Sequence, residues 1–117
     1  AVTETVVAEI DGAVVAFLVA RTVAGETEIL NLAVHPDFRR RGAGSALVRS
    51  LHSESVFLEV RESNGPALRL YRKLGFQEQG KRLNYYANPS EHAVVMALKR
   101  TLGSVKVGVS RADKDKA

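Results

Sequence analysis

The chain has 117 residues, a length that supports one hydrophobic core and not two, and its 45% hydrophobic and 26% charged residues are ordinary for a globular domain. It contains no cysteine, which excludes disulfides, thiolate metal sites and cysteine nucleophiles together. The formal charge of +4 is a modest basic excess with no zinc-finger spacing or aromatic-rich RNA-binding signature beside it, and no apolar stretch approaches the roughly 20 residues that span a bilayer.

Residues 5 to 10 and 13 to 20 are valine-rich and flank Asp11-Gly12, which predicts a β-hairpin. Glu28 to Val34, after a polar turn containing Gly25, predicts a third strand. A helix then places Ala43, Leu47, Val48 and Leu51 on one face and ends near Ser53. Val56 to Val60 predicts a strand parallel to the one ending at Val34, because a helix crosses between them. Ser63 or Asn64 caps the next helix, Pro66 sits in its first turn and Gly75 stands at its end. Phe76 to Gln79 and Arg82 to Tyr86 extend around Gly80, and after a loop from 87 to 91 the apolar run Ala93 to Leu98 predicts a last strand. Beyond it Val105, Val107 and Val109 alternate as an edge strand would, before a charged tail from Arg111 to Ala117. The element order is β-rich, then βαβα, then β. Residues 1 to 100 are expected to form one domain and 101 to 117 an extension. The sequence has no basic, apolar and small-residue leader pattern, which makes the cytoplasm the expected location.

The most informative segment is ILNLAVHPDFRRRGAGSALVRSL, residues 29 to 51. Arginines and small residues where a helix begins suit a phosphate-bearing ligand, because the first backbone N–H groups of a helix have no internal partners. Gly42 and Gly44 let an anion approach the backbone, and Arg39, Arg40 and Arg41 supply charge around it. A nucleoside-triphosphate loop is disfavoured, since no Gly-x-x-x-x-Gly-Lys-Ser/Thr run is present. A dinucleotide turn begins correctly with Gly42-Ala43-Gly44 and has an acidic residue, Glu59, in the following strand. Its third glycine would fall at Leu47. A coenzyme A loop, Arg/Gln-x-x-Gly-x-Gly/Ala, is satisfied by Arg39, Gly42 and Gly44. A solvated basic turn that binds nothing is the alternative to all three.

Together with LEVRESNGPALRLYRKLGF at 58 to 76 and RLNYY at 82 to 86, this segment resembles the GNAT superfamily of acetyl-CoA-dependent N-acetyltransferases, from about Gly12 to Leu98. The nearest likeness is to members that acetylate the N-terminal alanine of a small-subunit ribosomal protein. The resemblance implies an α/β (α+β) fold, a mixed and mainly antiparallel sheet whose parallel βαβ unit is splayed to hold acetyl-CoA. Members generally begin with a strand and a helical pair that wall the acceptor groove, and this sequence starts at the hairpin. A homodimer through the alternating valines is one way to supply that wall.

By the same resemblance Leu32, Ala33 and Val34 pair with the pantetheine arm and offer an N–H to the acetyl oxygen, and Arg39 to Ser45, including Ala43, enclose the pyrophosphate. Asn64 is a further coenzyme contact, Glu59 the general base, Tyr71 the acid that protonates the departing thiolate, and Tyr85 and Tyr86 lie on the acceptor side. Each has a plainer reading. Glu59 faces solvent or pairs with Arg61, Asn64 only caps its helix, Tyr71 belongs to a stripe of positions 64, 68 and 71 packed on the core, and the two tyrosines are a cross-strand feature. The acceptor is expected to be a protein N terminus or another primary amine. A lysine or small-molecule acetyltransferase and a non-catalytic acyl-CoA-binding module are the alternatives. No metal is expected, since amine attack on a thioester needs only base, oxyanion donor and acid, and His35, His52 and His92 have no metal-ligand spacing. Neither membrane nor direct nucleic-acid partners are expected.

Overall fold

Two reverse turns with left-handed backbone organise the first third of the chain. Asp11 and Gly12 have φ of 51° and 81°, and Ala24 and Gly25 have 51° and 82°, the mirror-image geometry that matches strand twist. In the computed structural model, which describes residues 1–99, these turns join β1 (Val2–Ile10), β2 (Ala13–Val23) and β3 (Glu26–Val34) into an antiparallel meander. The hairpin and third strand expected from the sequence are present, each longer than expected. The chain then passes a 3₁₀ turn at Pro36–Phe38 to α1 (Ala43–Arg49), β4 (Ser55–Arg61), α2 (Gly65–Lys73), β5 (Gln77–Tyr86) and β6 (Glu91–Lys99).

The six strands form one sheet in the order β1-β2-β3-β4-β6-β5. β3 and β4 are parallel and every other neighbouring pair is antiparallel, so the mixed sheet is as expected. β6 inserts between β4 and β5, and composition explains why. Residues 93 to 98 are apolar on both faces and suit an interior strand, whereas β5 is polar and exposed along almost all of its length and suits an edge.

One face of the sheet is covered. Ala16, Leu18 and Ala20 of β2, Val56, Leu58 and Val60 of β4 and Val94 and Met96 of β6 form a single core with Leu47 and Val48 of α1 and Tyr71 of α2. Residues between them, such as Phe17, Phe57 and Glu59, point to the opposite face by the two-residue period of a strand. Both described helices pack on the core face, and none is long and apolar enough to cross a membrane.

α1 is shorter than expected, ending at Arg49 and not near Ser53. Ser50 stops it, with its hydroxyl donating to the Leu47 carbonyl at 2.6 Å. The link that follows still buries Leu51 and reaches β3 through a 2.5 Å contact between the Ser53 and Thr27 hydroxyls. α2 is capped by Asn64, whose side chain accepts from the Ala67 N–H at 3.1 Å. The alternating valines, the proposed dimer contact and the charged tail lie outside the described residues.

Gly75 ends α2 with φ of 103°, and a Cβ there would stand 3.2 Å from Leu98 Cδ1. Gly75→Ala should therefore cost about 1–3 kcal/mol through backbone strain and crowding. Urea unfolding should show a lower midpoint with an unchanged slope, and an unchanged midpoint would contradict this account.

Candidate active site

The site begins where a ladder stops. β3 and β4 pair only at Glu26 with Ser55, Thr27 with Val56 and Glu28 with Phe57, yet the strands continue to Val34 and Arg61. On the other side of β3, Val19 faces Asn31 and Ala20 faces Ile29, which leaves Leu30 without an opposite residue. Such a bulge bends its strand, and this one lies just after the last rung shared with β4. Past it, β3 has no strand partner on the β4 side among the described residues.

A groove of about 850 Å³ opens at this divergence. Its first wall is Leu32, Ala33 and Val34 with Phe38, Arg39 and Arg40, and Gly42, Ala43, Gly44 and Ser45. Its second wall comes from α2, through Pro66, Ala67, Arg69, Leu70, Lys73 and Leu74. Among the described residues no acidic side chain lines it and four cations do, beside a lining that is otherwise largely apolar, a surface suited to a ligand with an apolar arm and several negative charges.

Local geometry sets the arginine turn against this groove. Arg39 Nε donates to the Val34 carbonyl at 3.2 Å, tying the turn to the end of β3. Arg40 and Gly42 both have positive φ, 65° and 84°, and curl the chain into α1. The first intrahelical bond runs from Ala46 N–H to Gly42 C=O at 2.9 Å, so the N–H groups of Ala43, Gly44 and Ser45 precede it and are available to a ligand.

Of the residues expected to hold coenzyme, Leu32 to Val34, Arg39, Arg40 and Gly42 to Ser45 line the groove. Arg41 does not, its guanidinium lying 5.3 Å from the centroid of the Phe38 ring. Asn64 does not line it either, and its observed role is the cap of α2. Sequence reasoning missed the second wall. Positions 66, 70 and 73, with 69 and 73, recur at helical spacing and could have revealed it. The stripe 64, 68 and 71 lies elsewhere, with Leu68 and Tyr71 in the core.

Glu59 points to the uncovered face. Its side chain is 11% exposed, and Arg82 Nη1 donates to its Oε2 at 2.7 Å. Neither plainer reading of Glu59 is observed: it is largely withdrawn from solvent, and Arg61 pairs with Glu91 at 3.2 Å. The Arg82 guanidinium lies 4.2 Å from the Tyr85 ring centroid, and that of Arg61 lies 4.4 Å from Tyr86. Tyr85 and Tyr86 meet edge to face at 5.1 Å as neighbours on one strand and not as a cross-strand pair. Two arginines thus gather both tyrosines beside Glu59. Hydrogen bonding from Ser63, and then Arg61, holds the Glu91 carboxyl below the usual carboxylate range, while burial raises the Tyr86 phenol.

Tyr71 stands on the core side, 8% exposed and edge to face with Phe76 at 5.6 Å. It is close to the groove in sequence, between lining residues Leu70 and Lys73, without lining it. Two histidines have local roles: His35 Nδ1 accepts from Asp37 N–H at 3.1 Å and His92 Nδ1 from Asn84 N–H at 3.0 Å.

A splayed parallel pair, a glycine–arginine turn and a second helical wall together frame a basic, partly apolar groove. The sequence matches the acetyltransferase (GNAT) domain family over residues 2–78, and the chain belongs to that family. It is 42% identical over 97 residues to the ribosomal protein bS18-alanine N-acetyltransferase of Salmonella typhimurium, an alignment covering 75% of this chain and 66% of that protein. The N-alpha-acetyltransferase of Sulfurisphaera tokodaii is 37% identical over 111 residues, covering 78% of this chain and 66% of that protein. The chain therefore spans just under two thirds of the length of these curated relatives. Among solved structures, the ribosomal-protein-S18-alanine N-acetyltransferase of Escherichia coli superposes with a TM-score of 0.68 at 32% identity, covering 95% of this chain and 73% of that one. A putative streptothricin acetyltransferase of Bacillus anthracis, solved in complex with acetyl coenzyme A, shares the fold with a TM-score of 0.75 at 21% identity, covering 85% of this chain and 63% of that one.

Burial lifts the Tyr71 phenol above its ordinary 10.0, so above that pH the unfolded chain releases this proton before the folded one does. The contribution is intact below pH 10.0 and is lost as pH climbs toward the raised folded value. Tyr71→Phe should lessen the alkaline fall in stability, read as urea midpoints between about pH 9 and 11. Equal falls in the two proteins would contradict this assignment.

Proposed function

We propose that this chain is an acetyl-CoA-dependent N-acetyltransferase that acetylates the N-terminal amine of a protein, an alanine-initiated ribosomal protein in particular. The observation that carries the reading is the abandoned β3–β4 ladder, which opens the sheet beside the basic groove. The relatives named above support the acceptor.

In this reading the diphosphate lies against Gly42 to Ser45 between Arg39 and Arg40 on one side and the α2 cations on the other. The pantetheine arm runs along Leu32 to Val34 and uses the backbone groups that β4 leaves unpaired. One of those N–H groups donates to the acetyl oxygen and holds the oxyanion as it forms. The amine arrives from the opposite face, gives a proton to the Glu59 carboxylate directly or through water, and its nitrogen bonds the carbonyl carbon. As the C–S bond breaks, the Tyr71 hydroxyl donates to the leaving sulfur. A phenol is protonated at neutral pH, and burial raises the Tyr71 hydroxyl further above its ordinary 10.0. An N-terminal amine, with a pKa of about 7.7 to 8.0 against about 10.4 for lysine, suits a carboxylate base. Tyr85 and Tyr86, beside Glu59, contact the first residues of the acceptor, and Asn64 and Arg41 support the coenzyme loop from outside the groove.

Glu59→Gln should lower kcat by about 10² or more, and Tyr71→Phe should do the same while leaving acetyl-CoA binding normal. Wild-type turnover in either variant would remove that residue from the mechanism. The acceptor is tested by offering acetyl-CoA with an alanine-initiated ribosomal peptide, an internal-lysine peptide and a polyamine, and locating the acetyl group by mass spectrometry. Acetyl on the α-amine is expected. Preferred modification of lysine or polyamine would overturn the acceptor, and absence of coenzyme A release with every amine would overturn the enzyme.

A further inference from the structure

Glu59 and its partner stand on strands that are not neighbours, because β6 lies between β4 and β5. The rung through Glu59 runs to Val95 and on to Gly80, while Arg82 shares a rung with Ala93 and Arg61. The strand position two steps from Glu59 therefore carries no side chain, and a Cβ built on Gly80 would meet nothing within 4 Å. Arg82 reaches across β6 from the rung of Ala93 and places Nη1 2.7 Å from Glu59 Oε2.

The guanidinium is held on its other side by the Tyr85 ring, at 4.2 Å. The two partners differ sharply in solvent contact, Arg82 being 56% exposed and Glu59 11%. A carboxylate this withdrawn, with its paired arginine removed, would be left uncompensated or would swing toward water. Its Oε1 has no hydrogen-bond partner among the described residues, so the arginine occupies one oxygen and leaves the other open.

We propose that Arg82 is the positioning residue of the transfer site, clamped on Tyr85 and fixing Glu59 by Oε2 so that Oε1 is presented to the incoming amine. The inference rests on the reading of Glu59 as the proton acceptor. A glutamate has three rotatable bonds, and a reacting group misplaced by about 1 Å can cost about 10² in rate. The guanidinium removes that freedom without touching the groove that holds the coenzyme, none of whose lining residues is Glu59, Arg82 or Tyr85.

Steady-state kinetics with acetyl-CoA and an alanine-initiated peptide test it on Arg82→Gln, Arg82→Lys, Glu59→Gln and the Arg82→Gln/Glu59→Gln double variant. Arg82→Gln should lower kcat by about tenfold to a hundredfold with the KM for acetyl-CoA unchanged. Arg82→Lys, which keeps the charge on a shorter reach, should recover part of that loss. The double variant should be little worse than Glu59→Gln alone, because an arginine that acts through the carboxylate has nothing left to position. If Glu59→Gln is impaired while Arg82→Gln keeps wild-type kcat, or if the two losses simply multiply, the positioning role is overturned and the base survives. If Glu59→Gln is fully active, the base reading itself falls. Urea midpoints on each variant separate a folding defect from a kinetic one, and the lysine variant decides the matter if the glutamine variant unfolds.

Discussion

The structure depends on a hydrogen-bond ladder that ends early. β3 and β4 share three rungs at one end, enough to keep them in one sheet and parallel, and the unopposed Leu30 then bends β3 away. A closed sheet would satisfy these backbone groups internally. Leaving them unpaired costs stability unless something else takes their place, and an extended ligand arm laid along Leu32 to Val34 can do so. The arginine turn is set by the same divergence, since Arg39 is tied to the last carbonyl of β3.

Charge is sorted by face. Toward the groove lie Arg39, Arg40, Arg69 and Lys73, with no acidic residue beside them among the described residues, a surface complementary to a polyanion. On the opposite face Arg21 pairs with Glu28, Arg61 with Glu91 and Arg82 with Glu59. Solvent around the arginines screens these pairs, so each contributes little to stability, on the order of 0–1 kcal/mol, and their value lies in orientation. Glu91 shows this well, because it receives the Ser63 N–H and Arg61 at once and so joins the β5–β6 turn to the start of α2.

The sequence made the local features legible and hid the long-range ones. Asp11-Gly12 announced its turn, Gly42 and Gly44 their loop, and Asn64, Pro66 and Gly75 the limits of α2, because each acts through its own backbone. The end of α1 was hidden by a serine whose hydroxyl caps the Leu47 carbonyl, an option that hydrophobic periodicity does not register. The placing of β6 inside the sheet follows from apolar residues on both of its faces, a signal present in the sequence but one that fixes burial and not neighbours. The partner of Glu59 was hidden for a different reason: it is 23 residues away and reaches across an intervening strand. Arg61, two positions along, was the natural guess. The α2 wall of the groove was legible in principle, and the competing stripe through Leu68 and Tyr71 obscured it.

A structure of the protein with a bisubstrate analogue, coenzyme A joined through an acetyl bridge to the N-terminal nitrogen of an alanine-initiated peptide, tests the account most directly. The account predicts the coenzyme arm along Leu32 to Val34 in the gap between β3 and β4, the phosphates at Gly42 to Ser45, and the peptide emerging on the face of Glu59 and Tyr85. Both arms on the helix-covered face, or a ligand bound outside a gap that has closed, would contradict it.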